Sequence, residues 1–231
     1  MPTIAVGVDI GQKRDPTAIA VVEPEFRDVN GRREDYYLVR FLERQPLGTP
    51  YPQVASRVQT VVSNVREHVA RAAPPSLFSR PPRPSIQLFV DATGVGQPVV
   101  DLLKGVGVRV QAVYFTHGDR RTTQQDGSIS LGKAWLVSRL QALLQTGRIL
   151  LPRTPEAEAL GAELLDYEIK VDQDANEKYG AFKVGSHDDL VTALGLCVQE
   201  PPRDYRMIII EHDDVLPAPA VPKHYWRTGR P

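Results

Sequence analysis

The chain has 231 residues, 42% of them hydrophobic and 24% charged, with 28 basic and 28 acidic side chains. This is an ordinary composition for a soluble globular protein, and no apolar run is long enough to cross a bilayer. The zero net charge leaves any nucleic-acid binding to local patches, and a single cysteine, Cys197, excludes an internal disulfide framework or a Cys-rich zinc site.

The opening MPTIAVGVDIG lacks the basic region and cleavage site of a signal peptide. With no disulfides, a cytosolic setting is expected. Residues 3 to 9 read as a strand, Ala18 to Val22 as a second and Tyr36 to Glu43 as a third. Gly11 and Asp15-Pro16 mark the first bend, and Asn30-Gly31 is a hairpin turn signal. Such short links predict consecutive antiparallel strands.

Val54, Val58, Val61, Val62, Val65 and Val69 then recur at helical spacing, predicting an amphipathic helix from about Pro52 to Arg71. Its β-branched residues are weak helix formers, so packing must hold it. Ala73 to Ser85 is rich in proline and arginine and reads as an exposed loop. A strand over 85–91, a helix over Val99 to Val106 and a strand over Val108 to Phe115 form a strand–helix–strand unit with parallel strands.

Residues 117 to 131 look polar and irregular. Lys133 to Leu144 reads as a helix with Leu136, Leu140, Leu143 and Leu144 on one face. A short strand follows at Ile149 to Leu151. Pro155 to Leu165 reads as a helix with Ala157, Leu160, Leu164 and Leu165 aligned. Tyr167 to Val171 and Tyr179 to Val184, joined through Asp174-Ala175-Asn176, predict a hairpin. Ser186 caps a last helix to about Val198, stopped by Pro201-Pro202. Cys197 falls on its apolar face, as a small buried hydrophobe. The expected organisation is one domain over residues 1–200 and a C-terminal tail over 201–231.

Three antiparallel strands followed by two parallel ones give an α/β fold, a mixed five-stranded sheet flanked by helices. This order resembles that of ribonuclease H-like proteins. The first and fourth strands would be central neighbours, so Asp9 and Asp91 would sit side by side at their ends. The last helix would bring Asp188 and Asp189 across. Converging carboxylates repel, and divalent cations resolve the repulsion. The pattern therefore reads as a two-metal phosphodiesterase centre, served by Mg2+ or Mn2+.

Each acid also has a plainer reading. Asp9 would serve as a turn residue before Ile10-Gly11, Asp91 as a loop cap, and Asp189 as the partner of Ser186 in a capping box. What favours the shared centre is their occurrence in the correct elements, in order. Asp188 is preferred as a direct ligand, with Asp189 as a second ligand or a cap. His187 is a minor candidate for an acid, base or outer contact. Lys133 would orient water or contact a phosphate. Lys13 and Arg14, beside Asp9, are the best phosphate contacts, followed by Arg120, Arg121 and Lys178, with Arg80 and Arg83 weaker.

Three stretches, VGVDIGQKRDPTAIAVVE, LFVDATGVGQPVVDLL and GSHDDLVTALGL, together resemble the nuclease domain of the large terminase subunit of tailed bacteriophages. The resemblance spans roughly residues 3 to 199. It implies a ribonuclease H-like domain that cuts concatemeric viral DNA with two metal ions in the cytoplasm of the bacterial host. It assigns catalysis to Asp9, Asp91 and Asp188, and metal binding to these with Asp189 close by. The hairpin over 167–184 would lie near the site. Partners implied are double-stranded DNA, a separate ATPase motor, small terminase and portal proteins, and no membrane. No G-x-x-x-x-G-K-[ST] loop occurs, so the chain is expected to be an excised domain, a stand-alone protein or half of a split motor.

Three other readings stay open. A Holliday-junction resolvase-like nuclease shares the fold and the acids. A non-catalytic DNA-packaging or DNA-binding module would keep the acids for folding. An actin-like ATP-using fold also opens with Asp-x-Gly, but needs two related halves.

Overall fold

The computed structural model describes residues 3–11, 15–72, 85–171, 177–180 and 187–202. The elements run β1 (Ile4–Asp9), β2 (Ala18–Val29), β3 (Arg32–Arg44), α1 (Tyr51–Ala72), β4 (Ile86–Asp91), α2 (Gln97–Gly105) and β5 (Gln111–Thr116). Then follow β6 (Arg121–Thr123), β7 (Ile129–Gly132), α3 (Lys133–Gln145), β8 (Ile149–Leu150), α4 (Pro155–Asp166), β9 (Glu168–Val171), β10 (Glu177–Gly180) and α5 (Asp189–Val198).

Eight strands form one mixed sheet in the order β6-β7-β5-β4-β1-β2-β3-β8. Its middle, β5-β4-β1-β2-β3, is the expected five-stranded core. β1 pairs antiparallel with β2 and parallel with β4, which makes them central neighbours as the sequence implies. The sheet is wider than expected because β6 and β7 extend one edge and β8 adds to the other. The polar stretch before α3 is therefore not irregular throughout. Its strands are too short for periodicity to show, although Ile129 and Leu131 alternate inward.

β2 and β3 also run longer than the apolar pattern suggests. Their outer halves carry charged and aromatic side chains, and the turn is made by Asn30 and Gly31 at φ 54° and 74°. Positive φ at both central residues matches the twist of a tight hairpin.

Strand alternation divides the core into two layers. Ile4, Val6, Val8 and Ile10 of the first strand segment, with Ile19 and Val21, face α1 and α2. Ala5, Ala18, Ala20 and Phe89 face α3, α4 and α5. Burying such a branched side chain stabilises the fold by ~1.5–3 kcal/mol, so the valines of α1 hold a helix that propensity would not.

The same alternation puts Gly7 and Asp9 on the α5 side of β1. α5 lies across β1 and β2, and all ten of its residues are buried. It comes this close because the sheet beneath it is built from Ala5, Gly7, Ala18 and Ala20. A β-carbon at Gly7 would collide with the carbonyl oxygen of Ala193, and one at Gly195 would strike Leu136 of α3. The far end of α5 is held by α3: Trp135 Nε1 donates to the Gln199 carbonyl at 2.9 Å, and Arg139 Nε donates to the Val198 carbonyl. Cys197 is buried against the sheet, its thiol directed at the carbonyls of Ala5 and Ala20, and burial pushes that thiol well up, away from any nucleophilic role.

The hairpin β9–β10 forms a separate two-stranded antiparallel sheet, with β10 beside α3. Its connecting residues, the proline-rich loop with Arg80 and Arg83, Ser186, and residues 203–231 of the expected tail lie outside the described residues.

Candidate metal centre

The packing of α5 on Gly7 sets the start of this helix against the end of β1. Asp9, Asp91, Asp188 and Asp189 all line one cleft, of about 410 Å³, together with Ile10, Gly11, Asp15, Val95, Phe115, Lys133 and Thr192. Three separated sequence sites, carrying four acids, are thus brought to one surface by three elements: two parallel strand ends and one helix start.

The electrostatics follow from this crowding. Burial raises the Asp9 carboxyl well above the usual carboxylate range, and the charges of Asp91, Asp189 and Asp188 raise it further, while Lys133 pulls it back. Burial also raises Asp91. Against this act the Thr93 contacts, then Lys133, then a hydrogen bond from the Asp9 carboxyl. Asp91 Oδ1 accepts the Thr93 N–H at 2.8 Å, and Thr93 Oγ1 accepts the Phe115 N–H at 2.8 Å. The loop-capping role and the cleft-facing role of Asp91 therefore coexist.

Asp189 is 2% exposed. Burial pushes its carboxyl up to about 7, opposed by Arg44 and reinforced by Asp188 and Asp15. Asp188, not Ser186, occupies the N-cap position of α5, and its side chain makes no capping hydrogen bond. Ligand atoms of Asp15, His187 and Asp189 lie within 4.8 Å of one another. His187 Nδ1 stands 3.7 Å from Asp189 Oδ2, and both atoms are buried without a hydrogen-bond partner among the described residues. Mutually repelling carboxylates, orphaned donor atoms and an imidazole nitrogen make a set that fits a divalent cation such as Mg2+ or Mn2+.

Comparison with known proteins bears on the fold. No family model matches the sequence, and no curated protein sequence matches it. Solved structures do. The large terminase nuclease from thermophilic phage G20c superposes with a TM-score of 0.56 at 18% identity, over 85% of this chain and 81% of that one. The same nuclease with bound magnesium gives 0.56 at 19% identity, over 85% and 80%. The large terminase nuclease domain of Thermus phage P74-26 gives 0.53 at 17% identity, over 85% and 78%. The chain has the ribonuclease H-like fold of a large-terminase nuclease domain.

Within this terminase-nuclease fold, Lys133 opens α3 at the cleft, its Nζ 5.5 Å from the centre of the Phe115 ring. The other basic candidates fare differently. Arg120 is exposed but does not line the cleft. Arg121 forms an ion pair with Glu200 at 2.8 Å and donates to Gln199 Oε1 at 3.2 Å, so it ties β6 to the end of α5. Its guanidinium is engaged by the two residues that directly follow α5. Lys178 lies on β10, and Lys13 and Arg14 lie outside the described residues.

Sequence reasoning missed three residues of this region. Asp15 looks like part of a turn, yet it lines the cleft. Arg44, the last residue of β3, reaches Asp189 with Nε at 3.7 Å from Oδ2. Glu163 is 5% exposed and forms an ion pair with Arg44. The periodicity of α4 misled here. Leu165, expected on the apolar face, is 88% exposed, while Glu163 is buried. The face is set by Glu163 meeting Arg44 and the start of α5, a polar contact that hydrophobic spacing does not register. The spacing of Glu163 three residues after buried Leu160 was the available signal.

Proposed function

We propose that the protein is a metal-dependent endonuclease that hydrolyses DNA phosphodiester bonds. The observation that carries this reading is the convergence of Asp9, Asp91, Asp188 and Asp189 on one cleft of a terminase-nuclease fold. One related nuclease was solved with bound magnesium, which supports Mg2+ or Mn2+, two ions in the full site, as the cofactor here. Bound there, such ions would polarise the scissile phosphate and make water a stronger nucleophile.

Asp9, Asp91 and Asp188 are assigned as the catalytic, metal-holding acids, with Asp189 as a further ligand. Asp15 and His187 complete the donor set on the α5 side. Asp9 is central because it meets the charges of Asp91, Asp188 and Asp189 together. Lys133, the cation that faces Asp9 and Asp91 from α3, would meet the phosphate. Lys13, Arg14, Arg120 and Lys178 are proposed to follow the DNA backbone, so sequence preference should be slight.

By analogy with its fold relatives, the substrate would be viral DNA during packaging in the bacterial cytoplasm, with an ATPase motor, small terminase and portal proteins as partners. No helix among the described residues is long and apolar enough to cross a membrane.

The deciding experiment is plasmid cleavage with Mg2+, Mn2+ or EDTA, wild type beside Asp9→Ala. Cleavage that requires the metal and Asp9 supports the assignment. Equal cleavage by both proteins removes it. Strong preference for four-way junctions over linear duplex would move the reading to a resolvase.

A further inference from the structure

The Arg44 guanidinium stands between two buried acids. It forms an ion pair with Glu163 of α4, in direct contact. Its separation from Asp189 of α5 is 3.7 Å, from Nε to Oδ2. That is beyond hydrogen-bonding range, and neither Arg44 Nε nor Asp189 Oδ2 has a hydrogen-bond partner among the described residues. Glu163 does a second thing. Its other oxygen accepts the Val191 N–H at 3.0 Å, fixing the first turn of α5. Glu163 does not itself line the cleft.

A guanidinium next to a metal-binding carboxylate is a competitor. Free to move, it would take both carboxylate oxygens in a forked pair and block the cation. In the observed arrangement one Glu163 oxygen holds the guanidinium through Nη2, and Asp189 feels the positive charge only across a gap. We propose that Glu163 is a positioning residue that keeps Arg44 off Asp189, leaving the Asp189 carboxylate open to a divalent cation. This rests on the reading above that the cleft binds such cations. Arg44 still offsets part of the repulsion among the acids from where it stands.

The test is Mn2+ titration of the full chain by calorimetry, with circular dichroism to confirm folding. Glu163→Gln keeps an oxygen for the Val191 N–H but releases its charge hold on Arg44. Mn2+ affinity should fall by roughly tenfold or more, the scale seen when groups behind metal ligands are changed. The double variant Arg44→Gln/Glu163→Gln, which removes the competitor as well, should return affinity to the wild-type level. That rescue is what a merely structural role would not produce. Unchanged affinity in folded Glu163→Gln overturns the proposal, as does a double variant that binds no better than the single one. If Glu163→Gln fails to fold, the double variant decides alone: binding weaker than wild type overturns the proposal. Absence of Mn2+ binding by wild type would sink the metal reading itself, whereas wild-type binding with no Glu163 effect sinks only this inference.

Discussion

Gly7 of β1 lies against the carbonyl oxygen of Ala193 in α5, closer than any side chain would allow. This contact sets the depth of α5 on the sheet, and hence the separation of Asp188 and Asp189 from Asp9. Gly7→Ala should therefore do more than strain the core. Overpacking of this kind costs about 1–3 kcal/mol, readable as a lower urea midpoint at unchanged slope. Mn2+ affinity should fall as well, measured under conditions where the variant is folded. A variant with wild-type affinity would uncouple the helix depth from the site.

Asp9→Asn should reverse the usual direction of a core substitution. In the metal-free protein the acid is buried among like charges, so removing its charge should stabilise the fold. A gain of ~1 kcal/mol would raise Tm by about 2–4 °C in a chain of this size. The same variant should lose the Tm increase that Mn2+ gives the wild type. Thermal scans with and without Mn2+ check both halves. A destabilised variant would mean that Asp9 mainly serves the strand end.

The pH dependence of metal-free stability has a definite sign. The folded Asp189 carboxyl is pushed up to about 7, from an ordinary value of 3.8, and Asp9 and Asp91 are raised too. A raised acid favours the protonated folded state. Its stabilising contribution is complete below about pH 4 and is lost as pH climbs through about 7. Urea unfolding in EDTA should show these acids' contribution falling across that window, and Asp189→Asn should flatten the fall. Saturating Mn2+ should also reduce it, because bound cations favour the ionised form. An Asp189→Asn profile with the wild-type slope would contradict the assignment.

Lys133→Ala should separate cation binding from catalysis. Lys133 opposes the negative charge of Asp9 and Asp91, so its loss should leave Mn2+ affinity unchanged or higher. Plasmid cleavage should nonetheless fall, by about tenfold if the lysine meets the phosphate through one charge-assisted hydrogen bond. Parallel losses of binding and cleavage would instead make Lys133 a packing residue of the Phe115 surface.

Much of this was legible in the chain, and the exceptions share a cause. Val6, Val8, Leu88 and Val90 announce buried central strands, and Asp9 and Asp91 end them. The Gly-Ser-His-Asp-Asp run before the nine residues Leu190–Val198, nearly all apolar, announces a helix start with acids. Those signals rest on local periodicity and suffice to order the core. Asp15, Arg44 and Glu163 carry no such periodicity, since their roles arise from contacts between elements far apart in sequence. Arg121 shows the converse: a basic residue that looked free for DNA is engaged with Glu200. β6 and β7 escaped notice because Arg121–Thr123 and Ile129–Gly132 are too short to outweigh the polar residues between them.

The complete burial of α5, from Asp189 to Val198, has a dynamic consequence. Wedged between the sheet and α3 and fastened at its far end, the helix has no shallow route to local opening. Its amide protons should exchange with solvent only as fast as the whole domain melts. The acids at its head thus inherit the stiffness of the entire fold, whereas any slack that a bound substrate would require must come from the opposite wall of the cleft.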